Sequence, residues 1–133
     1  MTAALETLSR QLSTSKVSVV FSHQNVPASL SEELTVCLYR IAQEALNNAI
    51  KHGRADNISV CLRGTQDSVQ LSVHDNGVGF DARTAPAGLG LISMTERVEH
   101  VGGALQIRSE PGGGTQVDVS VPVSSSRGRE TSR

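Results

Sequence analysis

The strongest constraint on the fold is the alternation of apolar and polar residues in the middle of the chain. Ile58, Val60 and Leu62 alternate with Ser59, Cys61 and Arg63, and Val69, Leu71 and Val73 alternate with Gln70, Ser72 and His74. A period of two places the apolar residues on one side of a strand. Gly64-Thr65-Gln66-Asp67 between the runs reads as a turn, so the pair predicts a hairpin. Lys16 to Ser22 alternates in the same way and is broken by Asn25-Val26-Pro27. Two further strands are expected over Ala104 to Ser109 and Thr115 to Val121, around the turn Glu110-Pro111-Gly112-Gly113-Gly114.

Helical spacing fills the intervals. Ser31 can cap a helix whose first turn carries Glu32 and Glu33, and Gly53 ends it after His52. Leu89 to Val101 reads as a second helix, closed by Gly102-Gly103, with Leu89, Ile92 and Val98 as its core side. Thr2 to Gln11 is a weaker helix with Leu5, Leu8 and Leu12 on one side, like the tail of something upstream. Asn76 to Ala87 has no period and reads as a loop; Ser124 to Arg133 is polar and expected to be disordered. Long helices beside a mostly antiparallel sheet predict a two-layer α/β sandwich.

Composition removes several classes of function. The 133 residues suit one domain with one core. A net charge of -1 gives no global field toward nucleic acid or membrane. Aromatics make up 2% of the chain, too few for a base-stacking single-strand binder. No apolar run reaches the length of a transmembrane span, and Met1 to Arg10 lacks the apolar core of a signal peptide. Cys37 and Cys61 are too far apart for a zinc site and read as reduced packing residues in a cytosolic setting.

Against this background four polar or glycine-bearing stretches stand out. On the long helix Glu44 and Asn48 are four apart and share a face, with Lys51 and His52 continuing that side. A carboxylate and an amide are hard oxygen donors of the kind Mg²⁺ takes. The same residues also suit an ordinary solvated face, with Lys51 and His52 answering the helix dipole. In Asp75-Asn76-Gly77-Val78-Gly79-Phe80, Asp75 follows a strand, where its carboxylate can accept from an exocyclic amine. Gly77 and Gly79 let a ring pack on backbone, or simply supply glycine torsions to a loop. Gly88-Leu89-Gly90-Leu91 opens a helix, where backbone N–H groups bind anions; it also reads as a hinge. Gly112-Gly113-Gly114-Thr115 is a hairpin turn whose threonine can offer a hydroxyl to a pocket. A dinucleotide fingerprint fails because Pro86 and Gly88 interrupt the required helix, and no phosphate-binding G-x-x-x-x-G-K-[ST] loop exists.

In their order these phrases resemble the catalytic and ATP-binding domain of two-component sensor histidine kinases, within the GHKL ATPase superfamily. The likeness covers roughly Pro27 to Pro122. It is nearest to the subgroup that works with NarL-type response regulators, on Leu38 to His52, Asp75 to Phe80, Gly88 to Leu91 with Met94 and Glu96-Arg97-Val98, and Gly112 to Thr115. The resemblance implies a mixed, mostly antiparallel sheet of about five strands backed by three helices. It implies that Asn48 ligates Mg²⁺, that Glu44 orients the metal and its water as the catalytic carboxylate, and that Lys51 and His52 face the phosphates. It places Asp75 on the adenine amine with Gly77 and Gly79 beside it, Gly88 and Gly90 at the end of an ATP lid, and Thr115 near the base. The stretch Asp81 to Ala87 implies a small lid, and Thr95 stands where the subgroup commonly has arginine.

The resemblance also implies what lies elsewhere. No histidine precedes His23, so the phosphoacceptor histidine and dimerisation helices are expected on a separate domain. The expected organisation is a linker helix over residues 1–13 from an upstream dimerisation region, a catalytic domain over 14–123 and a tail over 124–133. The isolated domain is expected to be monomeric and cytoplasmic, touching neither nucleic acid nor membrane. An anti-sigma-factor serine kinase and a degenerate nucleotide-binding module are the alternatives. An ATP-gated clamp would need a longer lid and a transducer domain.

Overall fold

The computed structural model of the chain describes residues 1–84 and 88–123, with Ala82 described by its backbone alone. The expected tail at 124–133 and the loop residues 85–87 lie outside the described residues. The elements are α1 (Thr2–Leu12), β1 (Ser18–Gln24), α2 (Glu32–Asn47), a π-helical turn (Asn48–His52), β2 (Asn57–Gly64), β3 (Ser68–Asp75), a short 3-10 turn (Ala82–Thr84), α3 (Leu91–His100), β4 (Ala104–Ser109) and β5 (Thr115–Pro122).

The strands form one five-stranded sheet in the order β1-β2-β3-β5-β4. The predicted hairpin is present, with Val60 opposite Val73 and Leu62 opposite Leu71. Only β1 and β2 run parallel, because α2 carries the chain back between them, as a parallel pair requires. The other neighbours are antiparallel. The sheet is therefore mixed and mostly antiparallel, with three α-helices against it.

Alternation settles which face is buried. Ile58, Val60, Leu62, Val69, Leu71, Val73, Val117, Val119 and Val121 all lie in the core. Their neighbours Ser59, Arg63, Gln70 and Ser72 point away from it, and on that open face Ser72, Gln116 and Arg108 all bond the Asp118 carboxylate. Burial pushes that carboxyl up, but the three donors outweigh it and hold it below the usual range.

α2 forms where its cap was expected: the Ser31 hydroxyl accepts from the Leu34 N–H at 3.1 Å. Its inward side is Leu38, Ile41, Ala42, Ala45 and Leu46, all buried. A fully buried leucine of this kind contributes about 1.5–3 kcal/mol. α1 joins the same core through Leu5 and Leu8.

Three local expectations are corrected. β1 starts and ends two residues later than the alternation suggested, taking in His23 and Gln24. α3 starts at Leu91, since Gly90 sits at φ +71° and cannot lie inside a helix. Ile92 is 77% exposed, whereas Met94 and Val98 are buried. With the helix beginning at Leu91, the sheet-facing side is set by Leu91, Met94 and Val98, three or four apart, and Ile92 falls off it.

Candidate active site

The same end of the sheet gathers the polar residues. β3 ends at Asp75, β5 begins at Thr115, and these two are ladder partners. The end of α2 and the start of α3 complete a cleft. Most of the lining is apolar, including Ala49, Val73, Phe80, Leu89, Met94, Ile107 and Val117. Asn48, His52, Asp75 and Thr115 are the polar side chains among its lining residues.

Asp75 is 6% exposed. Its Oδ1 accepts from the Gly77 N–H at 2.7 Å. Burial pushes its carboxyl up; the Gly77 and Thr115 backbone N–H groups and the charge of His74 pull partly the other way. The loop behind it is stitched at several points. The Asn76 Oδ1 accepts from the Asp56 and Asn57 N–H groups at 3.1 and 3.0 Å. Val78 N–H donates to the Gly53 carbonyl at 2.8 Å, and Gly112 N–H to the Val78 carbonyl at 2.6 Å. Gly77 is required by proximity, since a Cβ there would stand 2.6 Å from the Gly53 oxygen.

The helix that carries Glu44 and Asn48 widens at its end. The Gly53 N–H bonds to the Asn48 carbonyl at 2.9 Å, an i to i+5 closure. In this wider turn four residues come nearly full circle while three do not. His52 is therefore aligned with Asn48 and lines the cleft, whereas Lys51 is exposed and does not. A single unbroken helix to His52 was the expectation, and periodicity gives no sign of the wider turn.

Asn48 Nδ2 donates to the Leu89 carbonyl at 2.8 Å. Glu44, one turn earlier, lies against Gly90: a Cβ there would stand 3.3 Å from the carboxyl carbon. The structure thus brings Asn48, His52, Asp75, Gly79 and Thr115 to one cleft. Glu44 and Gly90 meet beside Asn48, and Gly77 supports Asp75 from behind. Lys51 and Gly88 are exposed and outside the lining.

Residues 34–125 match the sequence model of the family described as "Histidine kinase-, DNA gyrase B-, and HSP90-like ATPase". The chain belongs to this ATPase family. It is 40% identical over 99 residues to the signal transduction histidine-protein kinase/phosphatase DegS of Bacillus subtilis (strain 168), covering 71% of this chain and 26% of DegS. It is 38% identical over 104 residues to the oxygen sensor histidine kinase NreB of Staphylococcus carnosus (strain TM300), covering 76% of this chain and 30% of NreB. The chain thus spans less than a third of these curated relatives. The fold is that of the Erythrobacter litoralis EL346 blue-light activated histidine kinase, with a TM-score of 0.71 at 20% identity over 92% of this chain and 40% of that one.

Membership of this ATPase family implies that the domain binds ATP, and the residues of the cleft fit that ligand. A buried acceptor at the end of an apolar slot suits a flat base carrying an amine. Mg²⁺ also fits. The Leu89 carbonyl only accepts, so the amide nitrogen of Asn48 must face it and the oxygen is left for a cation. Among the described residues no group of three His, Cys, Asp or Glu could hold a metal alone. Two side chains that hold the loops around the cleft were not legible in the sequence. Asn76 bonds Asp56 and Asn57, and Ser109 bonds Phe80, Gly114 and Thr115, and no spacing rule marks such anchors.

Proposed function

We propose that this chain is the ATP-binding catalytic domain of a sensor histidine kinase. It binds Mg·ATP and donates the γ-phosphate to a histidine on a separate dimerisation and phosphoacceptor domain, with a NarL-type response regulator downstream. The observation that carries the reading is the buried Asp75 carboxylate at one end of an apolar slot that has Asn48 and His52 among its lining.

In this reading Asp75 accepts from the adenine amine and Thr115 lies beside the base. Gly77 and Gly79 keep the loop close to the ring. Asn48 and Glu44 are the residues that would hold Mg²⁺, which when bound offsets phosphate charge. His52 faces the phosphates from the π-helical turn, and Lys51 approaches them from outside the cleft. Gly88 and Gly90 bring the backbone at the start of α3 toward the same anions. Transfer then depends mainly on positioning the acceptor histidine in line with the γ-phosphate.

The parts outside the cleft follow the same reading. Residues 1–13 lead from a dimerisation region, 14–123 form the catalytic domain, and the domain works as a monomer in the cytoplasm. Among the described residues no helix is long and apolar enough to cross a membrane. The names of the relatives favour histidine over the serine of an anti-sigma-factor kinase as acceptor.

The test is calorimetric titration with a non-hydrolysable ATP analogue, with and without Mg²⁺, beside GTP and an Asp75→Asn variant. Saturable, Mg²⁺-sensitive binding that prefers adenine and is lost in the variant is expected. Failure to bind under every condition would overturn the proposal.

A further inference from the structure

The hydroxyl of Ser109, the last residue of β4, is a junction of three contacts. It lies 2.9 Å from the Phe80 backbone nitrogen, 3.1 Å from the Gly114 carbonyl oxygen and 2.8 Å from the Thr115 hydroxyl. Ser109 itself does not line the cleft, while Phe80 and Thr115 do.

Proton counting fixes the directions. A serine hydroxyl has one proton and two lone pairs. Phe80 N–H can only donate, so it occupies one lone pair. The Gly114 carbonyl can only accept, so it takes the proton. What remains for Thr115 is the second lone pair, and Thr115 must donate to it. Its only proton is thereby held by Ser109, and toward the cleft Thr115 has lone pairs alone. Its ladder partner Asp75 is also an acceptor when ionised.

We infer that Ser109 is a positioning residue for base specificity: by holding the Thr115 proton it keeps this end of the cleft acceptor-only. A purine with an amine at position 6 supplies the protons that such a surface needs. A purine with a carbonyl there places an acceptor at position 6 and keeps its one edge proton on N1, so at position 6 lone pairs face lone pairs. The inference rests on the nucleotide-site reading and adds to it a residue that never touches the nucleotide.

The experiment compares adenosine and inosine triphosphates, which differ at position 6 and in the proton on N1, on the full chain by calorimetry. The wild type is expected to prefer adenosine. Ser109→Ala frees the Thr115 proton to turn into the cleft, so the preference should shrink by about three- to tenfold, the range of one hydrogen bond. Ser109→Thr, which keeps the hydroxyl, should restore it. Equal weakening of both nucleotides in Ser109→Ala marks a merely structural role and overturns the inference while leaving the ATP site standing. No binding of either nucleotide by the wild type overturns the site itself and this inference with it. If circular dichroism finds Ser109→Ala unfolded, Thr115→Val decides: a reduced preference supports the inference and an unchanged one overturns it.

Discussion

The side-chain amide of Asn48 donates a 2.8 Å hydrogen bond to the backbone carbonyl of Leu89. One contact thus ties the end of α2 to the glycine segment that leads into α3. It also fixes which end of the amide is free. Asn48→Asp places an acceptor against that carbonyl, so the bond becomes a repulsion. We expect Mg²⁺-dependent nucleotide affinity to fall about tenfold or more, with faster amide exchange at Leu91 and Met94. Unaltered affinity and exchange would mean that neither the metal nor the segment depends on this amide.

Asp75 gives the site a pH dependence. Its folded pKa lies above the unfolded value, so the stability it contributes is present below the ordinary carboxylate range and lost as pH rises through the raised folded pKa. Binding runs the other way, since the base needs the ionised form. Nucleotide affinity should therefore decline on acidification at a pH above the usual carboxylate range. Asp75→Asn should lose about tenfold or more in affinity and remove this group's part of the stability profile. Parallel denaturation and titration series across pH check both, and a variant profile identical to the wild type would refute the assignment.

Gly79 and Gly88 separate two kinds of glycine requirement. Both have positive φ, +67° and +93°. A Cβ at Gly79 would stand 2.0 Å from the Glu110 oxygen and 2.8 Å from the Gly114 oxygen, whereas among the described residues nothing lies within 4 Å at Gly88. Gly88→Ala should cost only the left-handed strain, about 1–2 kcal/mol. Gly79→Ala should cost about 3 kcal/mol or more, because backbone atoms must move. Equal costs in urea denaturation would contradict the packing of these two turns.

Ser9 is 3% exposed. Its hydroxyl is the sole buried side-chain oxygen or nitrogen among the described residues without a hydrogen-bond partner. Ser9→Ala removes an uncompensated polar atom and adds helix propensity, so it should stabilise the fold by about 1 kcal/mol. A lower melting temperature in the variant would show that the hydroxyl has a partner in solution.

Much of this site was legible before any coordinates. Asp75 follows a strand run and Asn48 shares a helical face with Glu44, and both relations survive because they depend on local periods alone. Lys51 and His52 were read together, and only the widened turn at Asn48–His52 separated them. Ile92 lies in the helical run of Leu89 to Val101, but at 3.6 residues per turn it stands roughly 200° round from Met94 and so faces outward. In both cases the angular position around the helix, which composition does not show, decided which way a side chain faces.

The sequence by itself determined the elements, the buried side of each strand and the residue types that can meet a nucleotide. Those depend on interactions a few residues apart, where hydrophobic period, caps and glycine torsions act directly. The tertiary structure decided the parallel pairing of β1 with β2, the contact of Asn48 with Leu89 and the three-way junction at Ser109. Each joins groups that the chain separates, and hydrogen-bond direction there depends on which donors and acceptors the packed sheet brings within about 3 Å.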